Sequence, residues 1–253
     1  MTQDNLCAVV LATRETGFTA PSELGEQSAP LVEIGGRTLV QRVIDAARGS
    51  GQVHRVAVVG GQESAAAPFG ADIDLPACES PDANILAGLM ICEECSHVVL
   101  LPGNLPFLTA GHLEAFVGVA EGAGADVVYP MLLRESCETA FPELRRTYFR
   151  LAEGEVTGGS ALYVNRDRLV TRPETIEQAV QIRREPWRLA MLVNPLVLLS
   201  FNAGRMSLRD ISEAAERAMG VSAAAVIVEA PSLAMDIRKP IDLKVARERL
   251  GRT

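Results

Sequence analysis

The apolar positions of this chain fall first into short unbroken runs and then into helical spacing. Residues 6–12, LCAVVLA, are apolar without alternation, as expected of a strand buried on both faces. Residues 38–51, TLVQRVIDAARGSG, carry apolar side chains three and four apart and end in glycine, which predicts an amphipathic helix. The run 53–61, VHRVAVVGG, is the next strand. After a loop of mixed composition, residues 81–95 predict a helix with Asp82 near its start, and Val98 to Leu101 a buried strand closed by Pro102-Gly103. Residues 109–124 follow as a helix capped by Thr109, and 125–132 as another strand. Strand and helix alternating in this order imply an α/β fold, a mainly parallel sheet with helices on both faces.

The second half changes rhythm. Residues 147–165, TYFRLAEGEVTGGSALYVN, predict two antiparallel strands around a turn at Gly154. Residues 173–219 are mostly helical in pattern, with Pro186 and Pro195 as breaks; 224–231 returns as a strand, and 239–250 closes the chain as a helix with proline at its start. No linker or repeat divides the sequence. One domain over 1–253 is expected, with a helical lobe at about 167–222 inserted before the last strand and helix.

Composition narrows the function classes. With 48% hydrophobic and 22% charged residues the chain is a globular protein, and a net charge of -8 argues against a nucleic-acid partner, whose phosphates need a basic face. Lysine occurs only at Lys239 and Lys244, so a site that needs an amine has few candidates. No basic segment followed by an apolar one marks a signal peptide at the start. The apolar run 189–201, broken by Asn194-Pro195, is shorter than the about 20 residues of a membrane span. A cytoplasmic protein without a transmembrane segment is the expectation.

Five cysteines, Cys7, Cys78, Cys92, Cys95 and Cys137, are an odd number in a chain too large to need a disulfide framework. Cys92, Cys95 and His97 have metal-like spacing, but a structural zinc site needs a second ligand pair and only Cys78 lies near in sequence. They are read as thiols at a helix end.

Four stretches carry a family resemblance: IGGRTLVQRVIDAA behind the first strand and its loop, LLPGNLPFLT, RRTYFRLAEGEVTGGS and MDIRKPIDLKVARERL. In this order, along nearly the whole chain, they resemble the MobA-like nucleotidyltransferases, which include molybdenum-cofactor guanylyltransferases and sugar-phosphate cytidylyl- and uridylyltransferases. The resemblance implies a Rossmann-like fold of the GT-A type, a nucleoside triphosphate pocket, and Mg²⁺ holding phosphates while another phosphate attacks.

Carried over residue by residue, the resemblance exposes departures. The family's LAGG or LAAG loop corresponds to Leu11-Ala12-Thr13-Arg14, with Gly17 a few residues on, so both glycines that let phosphate approach the backbone bear side chains here. The family's lysine before the IGGR turn corresponds to Ala29. The metal-holding aspartate after the strand at 98 corresponds to Asn104, a weaker ligand for a hard cation. In the family's DxDxPEDL segment Asp236 is kept and Arg238 replaces the second aspartate. Asn84 and Gly88, on the helix at 81–95, join the nucleotide-side candidates, and Thr157-Gly158-Gly159 matches the acceptor-side loop, a tight turn being an equally good account of it.

The leading expectation is a degenerate nucleotidyltransferase-fold protein that binds a nucleotide or sugar nucleotide with transfer lost or much reduced. Arg238 is then a candidate phosphate contact, and no metal is required. The alternative is an active Mg²⁺-dependent transferase joining a nucleotide to a phosphorylated sugar, polyol or cofactor, with Asn104 and Asp236 as the metal pair. A third reading is an interaction scaffold that uses the run at 189–201 as its contact surface, and a homo-oligomer is left open. Thr13, Asn104 and Asp236 are expected near one crevice at the strand C-termini.

Overall fold

A computed structural model of the chain describes residues 5–13, 29–61, 69–184 and 206–251. Arg14, Gly17 and the apolar run 189–201 lie outside the described residues. In chain order the elements are β1 (Leu6–Leu11), a 3-10 turn (Ala29–Leu31), β2 (Glu33–Ile34), β3 (Arg37–Thr38), α1 (Leu39–Gly49), β4 (Val53–Gly61), β5 (Ile73–Pro76), α2 (Pro81–Ile91), β6 (His97–Pro102), α3 (Ala110–Ala123) and β7 (Val127–Leu133). They continue with α4 (Arg134–Ala140), β8 (Phe149–Leu151), β9 (Gly154–Gly158), β10 (Leu162–Asn165), α5 (Arg166–Val170), α6 (Pro173–Arg184), α7 (Leu208–Met219), β11 (Ala223–Ile227), a second 3-10 turn (Pro231–Ala234) and α8 (Pro240–Leu250).

The large sheet runs β5-β4-β1-β6-β10-β7-β9-β8, with β11 on the other edge of β7. β1 is central and parallel to β4 and β6, in the register Val10 to Val58 and Val10 to Leu101. Every residue of β1 is buried because both faces are covered. Ala8 and Val10 pack with Val40, Val43 and Ile44 of α1 and Phe116 of α3, whereas Cys7 and Val9 pack with Leu89 of α2 and Ile176 of α6. That sandwich explains an apolar run without alternation. Gly88 belongs to the same packing: a methyl added there would collide with Val9, so α2 lies on β1 at a distance only glycine permits.

Side-chain caps fix the helix starts. Thr38 and Gln41 form a reciprocal capping box on α1, Thr109 caps α3, and Gly124 ends α3 in the left-handed conformation at φ 62°. Elements of low contrast are additions to the sequence reading. β5 is a four-residue edge strand within the mixed loop, and α4 is a seven-residue helix after β7.

Two expectations are corrected. Residues 147–165 form three strands. β8 and β9 make the hairpin around Gly154, then the chain breaks at 159–161 and resumes as β10, antiparallel to both β6 and β7. The cysteines are not all free thiols either: Cys7 and Cys95 form a disulfide across 88 residues of sequence, while Cys78, Cys92 and Cys137 remain free. α2 ends at Ile91, so residues 92–94 form a turn and Cys95 comes over the face of β1 that carries Cys7, at a Cα separation of 6.0 Å. A pairing between a strand and a turn so remote in sequence has no local spacing to reveal it. The metal-like trio is dissolved with it, since the Cys95 sulfur is bonded and His97 stacks on Tyr163.

Of the helical lobe expected over 167–222, α5, α6 and α7 are described. α7 carries a capping box of Ser207 and Asp210 and packs along β11. Among the described residues no helix is long and apolar enough to cross a membrane.

Candidate functional site at the strand C-termini

At the C-terminal ends of the parallel strands the connecting segments are tied to one another by backbone hydrogen bonds. Ala12 N–H donates to Val59 O at 2.7 Å, so the loop after β1 begins alongside the end of β4. Gly60 has φ 101°, and a side chain there would strike Thr13, which fixes glycine at this crossing. Gly103 N–H donates to Leu11 O at 2.8 Å, and a Cβ on Gly103 would lie 3.1 Å from both that oxygen and Pro30. Ala29 sits on the 3-10 turn, buried with Ile237, Leu39 and Leu243. An apolar pocket surrounds the position at which the family resemblance expects a lysine.

Asn104 follows directly. It is 1% exposed, its Nδ2 donates to Ile237 O at 3.1 Å, and Ile237 N–H returns a bond to Asn104 O at 3.1 Å. Its Oδ1 is buried and accepts nothing among the described residues. An unsatisfied buried acceptor is costly and rare, and such groups mark functional positions more often than others do. The clasp places Asn104 against the residue that follows Asp236.

Asp236 is fully buried. Arg238 Nε donates to both of its carboxylate oxygens at 2.9 Å, and the same guanidinium reaches Ser160 Oγ through Nη2 at a long 3.4 Å. The Arg238 side chain is 39% exposed, so it stands between a buried carboxylate and solvent. Behind it lies a second layer. Arg146, only 6% exposed, donates to Ala234 O at 2.7 Å, to Asp236 O at 3.1 Å and to Asp242 Oδ1 at 2.7 Å. Asp242 Oδ2 in turn accepts the backbone N–H groups of Arg238 and Lys239 at the start of α8. The backbone bearing Asp236 and Arg238 is thereby held on both sides.

Ser160 N–H donates to Leu233 O at 2.7 Å and Gly159 N–H to Pro130 O at 2.8 Å, which brings the Thr157-Gly158-Gly159 stretch to the same edge. That stretch is the end of β9 paired with β7, not a tight turn. Its glycines are required by close approach, since side chains at Gly158 and Gly159 would meet Tyr129 and Pro130. Asn84 has a local role: its Oδ1 accepts Cys78 N–H at 2.7 Å and orders the loop before α2.

The cation that the resemblance implies is Mg²⁺. Mg²⁺ wants oxygen ligands at about 2.0–2.1 Å in octahedral array, supplied mainly by carboxylate and phosphate. Here the one carboxylate at the position has both oxygens engaged by a guanidinium. A dication about 4 Å from that charge would meet repulsion on the order of 8 kcal/mol at an effective dielectric of 20. Among the described residues, the unpartnered Asn104 Oδ1 is the one feature here that suits a cation. As arranged, the residues do not fit a divalent metal.

Sequence reasoning named Asn104, Asp236 and Arg238 but missed Arg146, Ser160 and Pro30. The doubled arginine of RRTY was the only available signal for Arg146, and nothing local separates a buried arginine from a surface one. A separate hollow of about 440 Å³, lined by Asp126, Arg168, Arg172 and Glu216 among others, lies at the opposite, N-terminal edge of β7 and β11. Its polar groups serve the fold: Ser222 Oγ bonds Asp126 at 2.7 Å, Arg172 bonds Gly220 O at 2.7 Å, and Glu216 accepts Ala223 N–H at 3.2 Å.

The model of the MobA-like NTP transferase domain matches residues 21–184. The chain belongs to this family. Among solved structures, this MobA-like chain is similar to a hypothetical transferase from Thermus thermophilus, with 29% identity, a TM-score of 0.78 and coverage of 94% of this chain and 99% of that one. It also shares its fold with 4-diphosphocytidyl-2C-methyl-D-erythritol synthase from Anaerococcus prevotii, at 10% identity, TM-score 0.57 and coverage of 98% and 99%. CMP:2-keto-3-deoxy-manno-octonic acid synthetase, solved with CTP, matches at 16% identity, TM-score 0.58 and the same coverage of 98% and 99%. No curated protein matches the chain in sequence. The α/β, Rossmann-like nucleotidyltransferase fold expected from the sequence is the fold observed.

Proposed function

We propose that this member of the MobA-like family binds a nucleotide or sugar nucleotide at the C-terminal ends of the parallel strands, where the loops bearing Thr13 and Asn104 begin, with nucleotidyl transfer lost or much reduced. The observation that carries the reading is Arg238 on Asp236: the carboxylate that would hold a metal is occupied by an internal cation. Support for a bound nucleotide comes from the family and from the CTP found in the structurally similar synthetase. Thr13 and Arg14 in place of loop glycines, and Ala29 in place of a lysine, remove two further means of managing triphosphate charge.

The test is pyrophosphate release from ATP, GTP, CTP and UTP with Mg²⁺ and a range of phosphorylated sugars and polyols, run beside a thermal-shift series of the same nucleotides with and without Mg²⁺. The expected result is a nucleotide-dependent rise in melting temperature without pyrophosphate release. One observation favours a second reading, an active Mg²⁺-dependent transferase joining a nucleotide to a phosphorylated sugar, polyol or cofactor: the unpartnered Asn104 Oδ1. Steady pyrophosphate release that disappears on Asp236→Ala would establish it. Absence of any thermal shift with every nucleotide would sink both readings and leave the scaffold.

A further inference from the structure

A second group of chemically active side chains lies toward the N-terminal ends of the parallel strands, away from Asn104 and Asp236. Cys7 is the second residue of β1 and pairs in register with Arg55 of β4 and Val98 of β6. The turn after α2, closed by Cys95 N–H donating to Cys92 O at 3.0 Å, brings Glu94 and Cys95 to that strand. The sulfurs of Cys7 and Cys95 and a carboxylate oxygen of Glu94 all lie within 4.8 Å of one another. Both cysteines are buried, whereas the Glu94 side chain is 30% exposed, so the group is open to solvent on one side. Arg55 Nη1 pairs with Glu94 Oε1 at 2.5 Å, and Glu94 Oε2 has no partner among the described residues. Cys92, despite its CxxC spacing to Cys95, is not part of the group.

We propose that Cys7, Glu94 and Cys95 form a zinc site in the reduced chain, and that the Cys7–Cys95 disulfide is the oxidised, metal-free state of the same site. The inference is independent of the nucleotide reading. A dithiol opens the disulfide: its own two sulfurs pair with each other, and two electrons and two protons pass to Cys7 and Cys95. Zn²⁺ then replaces those two protons without further change of oxidation state. The ligand set selects the metal. Zn²⁺ takes thiolate sulfur at about 2.3 Å and carboxylate oxygen at about 2.0–2.2 Å in a tetrahedron, which sets the ligand atoms about 3.6–3.8 Å apart. That spacing lies within the 4.8 Å span of the group. Mg²⁺ and Ca²⁺ want oxygen ligands throughout, and Cu⁺ prefers sulfur and would leave Glu94 unused. Charge agrees as well: two thiolates and a carboxylate exceed the dication by one negative charge, and Arg55 already sits on Glu94 to balance it. The open side at Glu94 leaves the fourth position to water.

The experiment uses the full chain, reduced with a dithiol and freed of it under argon. Co²⁺ is titrated in as a spectroscopic stand-in, followed by Zn²⁺ in competition with a chromophoric chelator. Reduced wild type should bind one ion, show thiolate-to-Co²⁺ charge-transfer absorption that Zn²⁺ abolishes, and melt at a higher temperature with Zn²⁺. Oxidised wild type should do none of these. Cys7→Ser, Cys95→Ser and Glu94→Gln should each weaken Zn²⁺ binding about tenfold or more, whereas Cys78→Ser and Cys92→Ser should leave it within about twofold. Oxidation of the zinc-loaded chain by an added disulfide should release the metal and restore the Cys7–Cys95 bond, read by alkylation and mass analysis. No saturable site in the reduced protein, equal binding by the oxidised protein, retention of zinc after the bond has re-formed, or unchanged affinity in Cys7→Ser or Glu94→Gln overturns the inference. Loss of binding in Cys92→Ser with Cys7→Ser unaffected also overturns it, since the metal would then sit on the local CxxC. If a buried cysteine variant fails to fold, Glu94→Gln decides, because its side chain is partly exposed. If the reduced chain does not melt cooperatively without metal, refolding with Zn²⁺ decides: a cooperative melt regained by wild type but not by Glu94→Gln supports the inference, and any other outcome overturns it.

Discussion

Asn104 and Ile237 hold each other by a reciprocal pair of hydrogen bonds, side-chain Nδ2 to carbonyl at 3.1 Å and backbone N–H to carbonyl at 3.1 Å, and through that clasp the end of β6 is joined to the segment before α8. The amide is therefore a structural element as well as a departure from the family's aspartate. Asn104→Asp would restore the carboxylate and at the same time set an acceptor against the Ile237 carbonyl in a site that is 1% exposed. We expect a loss of about 1–3 kcal/mol in urea unfolding at neutral pH, the cost of leaving a buried polar group without its partner. An Asn104→Asp variant as stable as wild type in metal-free buffer would show that the clasp contributes nothing.

Arg146 is the hub behind the site. Its side chain is 6% exposed and that of its partner Asp242 is 1% exposed, so removing the arginine leaves a buried carboxylate with, among the described residues, only the Arg238 and Lys239 backbone N–H groups, and two carbonyl oxygens lose a donor. Breaking a buried pair from one side costs about 3–5 kcal/mol. Arg146→Ala is expected to lose stability in that range. Arg146→Leu combined with Asp242→Asn should recover part of it, because no uncompensated charge then remains. A loss below about 1 kcal/mol for the single variant, the range of exposed pairs, would show that the buried geometry is not maintained in solution.

The parallel core was legible because burial on both faces writes itself as an unbroken apolar run, and β1, β4 and β6 each showed one. The Thr109 cap was legible too, since it acts on its own helix within a few residues. What remained hidden was anything decided by partners distant in sequence. The pairing of Cys7 with Cys95, Arg146 reaching across to Asp242, and His112 meeting Ser232 all depend on how the sheet is ordered, which periodicity does not specify. The break between β9 and β10 was missed for a related reason: Gly158 and Gly159 read as turn residues, whereas Tyr129 and Pro130 on the neighbouring strand are what require them. At the site, residue identities came from the family resemblance, but the Arg238 to Asp236 contact came only with the fold.

The Cys7–Cys95 bond closes a loop across 88 residues, and a bond of that span should restrict the unfolded chain substantially. Cys7→Ser with Cys95→Ser, or reduction of wild type, is expected to cost about 2–4 kcal/mol. Alkylation in denaturant without reductant, followed by mass analysis, should modify only Cys78, Cys92 and Cys137. Five modified cysteines in freshly isolated, unreduced protein would mean that the bond does not form. Under native conditions Cys92 and Cys137 should react far more slowly than the exposed Cys78, since burial pushes both thiols up to about 11 and thiolate is the reactive form.

His112 ties pH to the segment that carries Asp236. It lies on the first turn of α3, its Nδ1 is 2.7 Å from the Oγ of the fully buried Ser232, and Ser232 belongs to the 3-10 turn that leads into Asp236. Burial lowers the His112 pKa below its ordinary value of 6.5, because desolvation disfavours the imidazolium. The direction of the stability effect follows from proton counting. Between the folded and unfolded pKa values the unfolded chain binds more protons at this position, so stability rises with pH through that window. The contribution is fully present above about 6.5, the unfolded value, and is lost as pH falls toward the folded one. Wild type should therefore lose stability on acidification from about pH 7 to 5 by more than a His112→Gln variant, which keeps a neutral hydrogen-bonding group and cannot titrate. Urea unfolding of both proteins at several pH values across that window gives the comparison. A wild-type curve that runs parallel to that of His112→Gln throughout would show that this histidine does not couple protonation to the turn before Asp236.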